Sequence, residues 1–291
     1  MTETEPNRPI AFQGAPGAYS DLACRALFPD RPTLPCRGFE DALGAVSSGE
    51  AAVAVIPIEN SLAGRVAEIH HLLPRSGLHL IGEYFAPVHH YLLALPGVAL
   101  DQIRVVRSHV HALGQCRLLI RELGLAPVVA ADTAGAAAEL AQSGERETAV
   151  IASALAGQIY GLVALRANIE DAAHNTTRFV ILSRQPLLPS PGTGLVVTSF
   201  TFRVRNVPAA LYKALGGFAT NGINITKLES YMVGGRFTAT EFYADVEAHP
   251  AERRLELAME ELRFFTEEVT ILGTYPAHPF RANTSEGSRM P

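Results

Sequence analysis

The chain has 291 residues, 48% of them apolar, and a formal net charge of -5. That length predicts about two domains, and that apolar fraction supplies real cores and excludes a disordered chain. No run of Lys or Arg occurs, Trp is absent and only 7% of residues are aromatic, which excludes nucleic-acid binding or membrane-surface attachment as the main business.

The N-terminal stretch Met1 to Pro9 is polar and lacks an apolar core, so no secretory signal is expected. Cys24, Cys36 and Cys116 are far apart and form no Cys-x-x-Cys. This is the usage of a reduced compartment, with no disulfide frame and no zinc site. The longest uncharged run, Thr148 to Leu165, contains Gly157, Gln158 and Gly161. It predicts a buried strand followed by an Ala-rich helix and not a membrane span. A soluble cytoplasmic protein is the expectation.

From residue 10 to 184, short β-branched runs alternate with helical stretches. Candidate strands are Pro9-Gln13, Ala52-Ile56, Leu78-Phe85, Arg104-Arg107, Pro127-Ala130 and Thr148-Ile151, with helices over Phe39-Val46 and Ala134-Gln142. Such alternation predicts an α/β domain with a largely parallel sheet. Asp132 or Thr133 is suited to cap the Ala134 helix. Val88 to Leu95 predicts a second strand or a crossover after Pro87.

Four segments of this region stand out. Gly14-Ala15-Pro16-Gly17-Ala18-Tyr19-Ser20 follows a strand and precedes a helix. Its glycines either let backbone amides approach an anion or make a tight turn. No Gly-x-Gly-x-x-Gly or Walker sequence occurs, so no nucleotide cofactor is inferred. Glu59-Asn60-Ser61 ends an apolar strand at its C-terminal edge, where α/β sheets gather ligands. It serves equally as a capping turn. Ser108-His109 lies just past another strand, and His109 is suited to act as an acid near neutral pH. His109 and His111 find no third ligand at a convincing spacing, so no metal is expected. Finally, Asn175-Thr176-Thr177-Arg178-Phe179 opens an apolar strand running to Leu182. Two hydroxyls beside a permanently charged fork suit an anionic ligand with a hydroxyl to be worked on. An exposed Arg at a strand start is the plain alternative.

Gln185 to Gly194 is rich in Pro and Gly and predicts a linker. Beyond it come a strand (Leu195-Arg203), a helix (Val207 to Asn221, closed by Gly222), two strands (Ile223-Val233 and Phe237-Val246) around Gly234-Gly235, a helix through Leu255, Met259 and Leu262, and a strand (Val269-Tyr275). The order β-α-β-β-α-β is the ferredoxin-like pattern. From His278 to Pro291 the chain is polar and is expected to be mobile.

The glycine loop, the block Val55-Ile56-Pro57-Ile58-Glu59-Asn60-Ser61-Leu62-Ala63-Gly64, the block Ser108 to Cys116 and the Thr177-Arg178-Phe179 segment together resemble the prephenate dehydratases, in the same order. The block from Ser108 departs from the family at Val110 and His111. Gly222-Ile223-Asn224-Ile225-Thr226-Lys227-Leu228-Glu229-Ser230 resembles the family's regulatory ACT domain. The likeness runs from about Ile10 to Tyr275. It implies a two-lobed catalytic domain similar to periplasmic binding proteins over 8–185, a linker over 186–194 and an ACT domain over 195–277.

The resemblance implies loss of water and carbon dioxide from prephenate to give phenylpyruvate, with no cofactor. Family precedent gives the essential hydroxyl to Thr177, as a hydrogen-bond donor to the leaving oxygen, with Glu59, His109 or water as relays. Arg178 would hold a carboxylate or position the loop. Ser20, Asn60, Ser61, Ser108 and Thr176 are candidate substrate contacts, and Phe179 is either apolar wall or plain core. L-phenylalanine is the expected effector, near Ala210, Leu211, Asn224, Glu229 and Ser230, in a homodimer or homotetramer. Two departures bear on this: Ala209 stands where the family has Gly, and Tyr231-Met232 where it has Arg-Pro. Arogenate dehydratase is an open alternative, since that substrate differs by an amino group. So is a non-catalytic aromatic-acid sensor, which a turnover assay separates.

Overall fold

The computed structural model describes residues 8–232 and 239–282. In chain order the elements are β1 (Ile10–Gln13), α1 (Tyr19–Leu27), β2 (Thr33–Cys36), α2 (Phe39–Ser48), β3 (Val53–Asn60), β4 (Gly64–Arg65), α3 (Ala67–Leu72), β5 (His79–Pro87), β6 (Tyr91–Ala94), β7 (Val105–Ser108), α4 (Val110–Gln115), α5 (Arg117–Glu122) and β8 (Ala126–Val129). They continue as α6 (Thr133–Ser143), β9 (Thr148–Ala152), α7 (Ala154–Tyr160), β10 (Val163–Ala167), β11 (Thr176–Ser183), β12 (Val196–Val204), α8 (Ala210–Thr220), β13 (Ile225–Met232), β14 (Ala239–Val246), α9 (Arg253–Phe265) and β15 (Thr266–Pro276). Two compact units result, Met1–Val66 with Tyr84–Phe179, and Ala67–Glu83 with Val180–Pro291. The chain passes from one to the other three times, after Val66, within β5 and within β11.

The first unit holds two lobes. In one, β11, β3, β1 and β2 lie side by side, with β1 parallel to both β2 and β3. Ile10, Ala11 and Phe12 are all fully buried, as expected of a parallel strand covered on both faces. In the other, the order is β10-β6-β9-β7-β8, parallel among β7, β8 and β9 and antiparallel around β6. Leu92, Val106, Leu113, Ile120 and Ile151 fill its core. Asp132 caps α6, accepting from the Gly135 N–H at 2.6 Å, and Ser153 caps α7, accepting from the Ala156 N–H at 3.0 Å. β2 and β10 are additions to the elements expected from sequence. Pro35 interrupts the apolar pattern of β2, and β10 is a largely exposed edge strand with an irregular register.

The lobes touch directly. The Ser153 hydroxyl donates to Gly17 O at 2.5 Å and the Tyr160 hydroxyl to Pro16 O at 3.0 Å. A Cβ on Gly17 would lie 2.7 Å from Ala156 Cα, and Gly17 also has φ +89. The glycine is there for backbone shape and for close approach.

In the second unit the strand order is β13-β14-β12-β15-β5. The succession β12-α8-β13-β14-α9-β15 is the βαββαβ order read from the sequence. Phe200, Phe202, Phe218, Phe242, Leu255 and Leu262 form its core under α8 and α9. β5 runs parallel to β15 at Leu80 and Gly273, where any Cβ on Gly273 would collide with the Leu80 carbonyl. α3 belongs to this unit: the His70 ring packs 5.3 Å from Tyr231 and 5.2 Å from Tyr243. Tyr231, one of the two departures at the expected effector site, is therefore a buried packing residue.

Within the stretch expected to be mobile, residues 278–282 are tied down. Arg281 grips Glu83 at 2.6 and 2.8 Å and lies 3.7 Å from Asp245, while the His278 N–H donates to Glu83 at 3.0 Å. Both carboxylates are buried, and such charges need a partner. No local pattern announces this, because the three residues are far apart in sequence. Residues 283–291 and the expected turn at Gly234-Gly235 lie outside the described residues.

Candidate active site

The four segments singled out from sequence all lie in the first unit, and Glu59-Asn60-Ser61 and residues 175–179 are in direct contact there. Thr176 and Thr177 open β11, and Glu59 and Asn60 close β3. β4 folds back on the end of β3, pairing Asn60 with Gly64 and Glu59 with Arg65.

Asn60 is the hub. Its Oδ1 accepts from the backbone N–H groups of Leu62 (3.0 Å) and Ala63 (2.9 Å). Backbone N–H groups can only donate, so these two bonds fix which end of the amide is oxygen. The Nδ2 end then donates to Asn175 Oδ1 at 2.8 Å, Thr177 Oγ1 at 3.0 Å and Thr176 O at 3.2 Å.

From Asn175 the bonds continue. Asn175 Nδ2 donates to Gln115 Oε1 at 2.9 Å, His90 Nε2 stands 2.8 Å from the same oxygen, and His90 Nδ1 stands 2.6 Å from the Tyr19 hydroxyl. Burial lowers the His90 pKa. Burial, and after it the nearby Cys116 and Glu170, raises the Tyr19 pKa well above its usual value.

The loop before β11 is held from two sides. Glu170 accepts from the His90 N–H at 2.9 Å and lies 2.8 Å from His89 Nδ1. Burial pushes the Glu170 carboxyl up, but these bonds outweigh it and hold the pKa below the ordinary value. Asp171 accepts from the N–H groups of Arg117 (2.9 Å) and Leu118 (3.0 Å).

Arg178 is buried, at 3% side-chain exposure, and its Nη1 donates to Glu59 Oε1 at 2.9 Å. Its guanidinium also sits 5.9 Å from the Phe85 ring centre, a cation–π contact. Ser61 staples the loop: its hydroxyl donates to His174 O and accepts from the Thr176 N–H, both at 3.0 Å. Ser20 is buried in the first turn of α1. Ser108 is fully buried and its hydroxyl donates to Ile151 O at 2.6 Å, so it ties β7 to β9. Phe179 is core, at 1% exposure. His109 caps α4, its Nδ1 accepting from the His111 N–H at 3.3 Å. Burial and the neighbouring His111 lower its pKa. Among the described residues no group of three His, Cys, Asp or Glu side chains could hold a metal.

Tyr19, His90, Gln115 and Asn175 received no role from the sequence. Three of them stood in the segments quoted above, but the contact of Asn60 with Asn175 spans 115 positions, which no local pattern reveals.

The prephenate dehydratase family profile matches residues 10–187. A bifunctional N-acyl-homoserine lactone acylase/prephenate dehydratase of Komagataeibacter europaeus is 55% identical, over 94% of this chain and 98% of that protein. The arogenate dehydratase/prephenate dehydratase 1 of Arabidopsis thaliana is 40% identical over 92% of this chain and 71% of its own length. A solved prephenate dehydratase from Arthrobacter aurescens, in complex with L-Phe, superposes with a TM-score of 0.84 at 30% identity, over 92% of this chain and 89% of that one. With its Thr-Arg-Phe strand brought against the Glu-Asn-Ser turn, with this profile matching residues 10–187 and with these relatives matching over 92–94% of its length, the chain belongs to the prephenate dehydratase family.

Proposed function

We propose that the protein converts prephenate to phenylpyruvate. The observation that carries the reading is the polarity of the Asn60–Thr177 bond. Thr177 Oγ1 accepts from Asn60 Nδ2, so its own proton is available to another acceptor. Prephenate carries two carboxylates and a ring hydroxyl. The ring C–CO₂⁻ bond breaks, its electron pair enters the ring, and the C–OH bond breaks on the far side as the ring becomes aromatic. Carbon dioxide leaves neutral, and the departing hydroxide takes a proton from solvent to become water. A donor fixed beside the leaving oxygen stabilises the charge that develops there. The Thr hydroxyl is a very weak acid, so it works as a donor and keeps its proton. Arg178, anchored by Glu59, supplies positive charge from the same strand for a substrate carboxylate.

The experiment is turnover of the purified protein with prephenate and, in parallel, with arogenate, read by the absorbance of the aromatic product. The Arabidopsis relative's name covers both substrates. No product from either would end the dehydratase reading. A second activity has one specific support: the relative at 55% identity is named as an acylase as well. Incubation with an N-acyl-homoserine lactone, following release of the fatty acid, tests it on the same preparation.

The βαββαβ segment fits an ACT-type module, and L-phenylalanine fits as its ligand, because the Arthrobacter homologue was solved with L-Phe. Asn224, whose Nδ2 donates to Glu247 at 2.9 Å, and Glu229, paired with Lys227 at 3.2 Å, are the polar groups proposed to meet it. Ala210, Leu211 and Ser230 complete the proposed contacts, in a homodimer or homotetramer working in the cytoplasm.

A further inference from the structure

We propose that Tyr19, His90, Gln115 and Asn175 are positioning residues that hold the Asn60 amide in place and so keep the Thr177 hydroxyl turned outward as a donor. The inference rests on the dehydratase reading for its consequence in turnover, and on geometry alone for its content.

The polarity of each bond follows from its neighbour, starting at two backbone amides. Leu62 and Ala63 make the Asn60 oxygen an acceptor. The Asn60 nitrogen must then donate, so the Asn175 atom facing it is oxygen and the other Asn175 atom is nitrogen. That nitrogen donates to Gln115, so the Gln115 atom is oxygen. An oxygen with no proton can only receive from His90 Nε2, which must carry the ring proton. Burial keeps His90 neutral, so Nδ1 is bare and takes the nearer share of the Tyr19 hydroxyl proton, at 2.6 Å, with His89 O as its second acceptor at 3.0 Å. The Gln115 nitrogen points back toward Asn60 Oδ1 at 3.4 Å, with the same polarity. Each assignment agrees with the next around the closed circuit.

The circuit draws on separate parts of the unit. Tyr19 starts α1 in one lobe and Gln115 ends α4 in the other, while His90 and Asn175 lie on the two segments that cross between the lobes. Glu170 fixes the His90 backbone and Asp171 fixes the start of α5, beside Gln115. The Thr177 donor is thus set by the meeting of the lobes and not by its own strand alone.

The test has two readouts. Selective ¹⁵N-His spectra of the full chain, assigned with His90→Gln, report the ring tautomer. The expected result is a proton on Nε2, and a proton on Nδ1 overturns the proposal. The tautomer is read in the unaltered chain, with the variant used for assignment alone, and needs no turnover. Second, Gln115→Leu should lower kcat by about tenfold with KM within about twofold, and should shift the Asn60 side-chain amide resonances. In a Thr177→Val background the same change should cost less than about twofold, because its route runs through that hydroxyl. His90→Gln keeps a donor toward Gln115 and should retain activity within about threefold, whereas His90→Leu should fall about tenfold. Losses that simply add in the double variant, or an unmoved Asn60 amide, overturn the proposal. A wild-type protein that turns over neither prephenate nor arogenate sinks the dehydratase reading alone, since the tautomer and the Asn60 amide still decide the positioning.

Discussion

Replacing Thr177 with Val keeps the branched shape and removes only the hydroxyl. Asn60 Nδ2 loses its 3.0 Å acceptor but keeps Asn175 Oδ1 at 2.8 Å and Thr176 O at 3.2 Å. The folding cost is therefore at most that of one ordinary hydrogen bond, about 1 kcal/mol. For a unit of this size that moves Tm by about 2–4 °C. The cost in turnover is much larger, because a donor aimed at developing charge is worth about 10²–10³ in kcat, or roughly 3–4 kcal/mol. Thr177→Ser restores the donor without the methyl and should keep appreciable activity. Steady-state kinetics with prephenate and thermal melts on the same samples give both numbers. A Thr177→Val enzyme with near wild-type kcat refutes the donor role. A melt depressed by well over 10 °C would mean that the hydroxyl holds the fold.

Arg178→Lys should lower kcat/KM by about tenfold, some 1.4 kcal/mol, because an ammonium cannot reproduce the planar fork; an unchanged value makes Arg178 purely structural. Arg281→Met leaves the buried carboxylates Glu83 and Asp245 without their guanidinium, and denaturant titration should show a loss of about 3–5 kcal/mol. Ala209→Gly should stabilise: Ala209 has φ 60 and ψ 21, a left-handed conformation costing about 1–2 kcal/mol for a residue with a Cβ, of which about 0.4–1 kcal/mol is returned by the looser unfolded glycine. A lowered Tm would refute that reading, and calorimetry with L-phenylalanine on the same variant tests whether the freed backbone alters effector binding. His90 and His109 both have pKa values lowered by burial, so between the folded and unfolded values the unfolded chain binds more protons. Stability should therefore rise with pH up to about 6.5 and fall below it; His90→Gln should flatten that slope in Tm measured from pH 5 to 7.

The βαββαβ succession was legible because its strands and helices have different apolar periods, separated by Gly222 and by the linker prolines. Phe200, Phe202 and Phe242 alternate on strands, while Ala210, Ala214 and Phe218 keep helical spacing, and all are core. The first unit was less legible. β8 is exposed along its length and carries no inward stripe, so only its β-branched residues betrayed it. At the candidate site, Thr177, Arg178, Glu59 and Asn60 could be singled out because they lie at strand ends within conspicuous runs. Ser108 was equally conspicuous, but which face of a strand end turns inward depends on register, and here its hydroxyl bonds to β9. The pairing of Arg178 with Glu59 joins positions 119 apart, and only the sheet order that sets β11 beside β3 brings them together.

The circuit around Asn60 also bears on where the proton for the leaving oxygen comes from. The sequence allowed a relay through Glu59 or His109. In the structure Glu59 accepts from Arg178, and His109 Nδ1 accepts from the first turn of its own helix. The groups that do reach Thr177 are amides, a histidine kept neutral by burial and a tyrosine whose pKa is raised. Such a chain has no member that releases a proton near neutral pH, so it transmits orientation and not charge. Protonating His90 would not reverse it either. Nε2–H would still face Gln115, and the Tyr19 hydroxyl would keep its bond to His89 O, 3.0 Å away. On the proposed dehydratase reading, the Thr177 donor therefore keeps its direction whether or not His90 is protonated, which would suit a reaction driven by aromatisation, whose leaving oxygen needs a fixed hydrogen bond more than a strong acid.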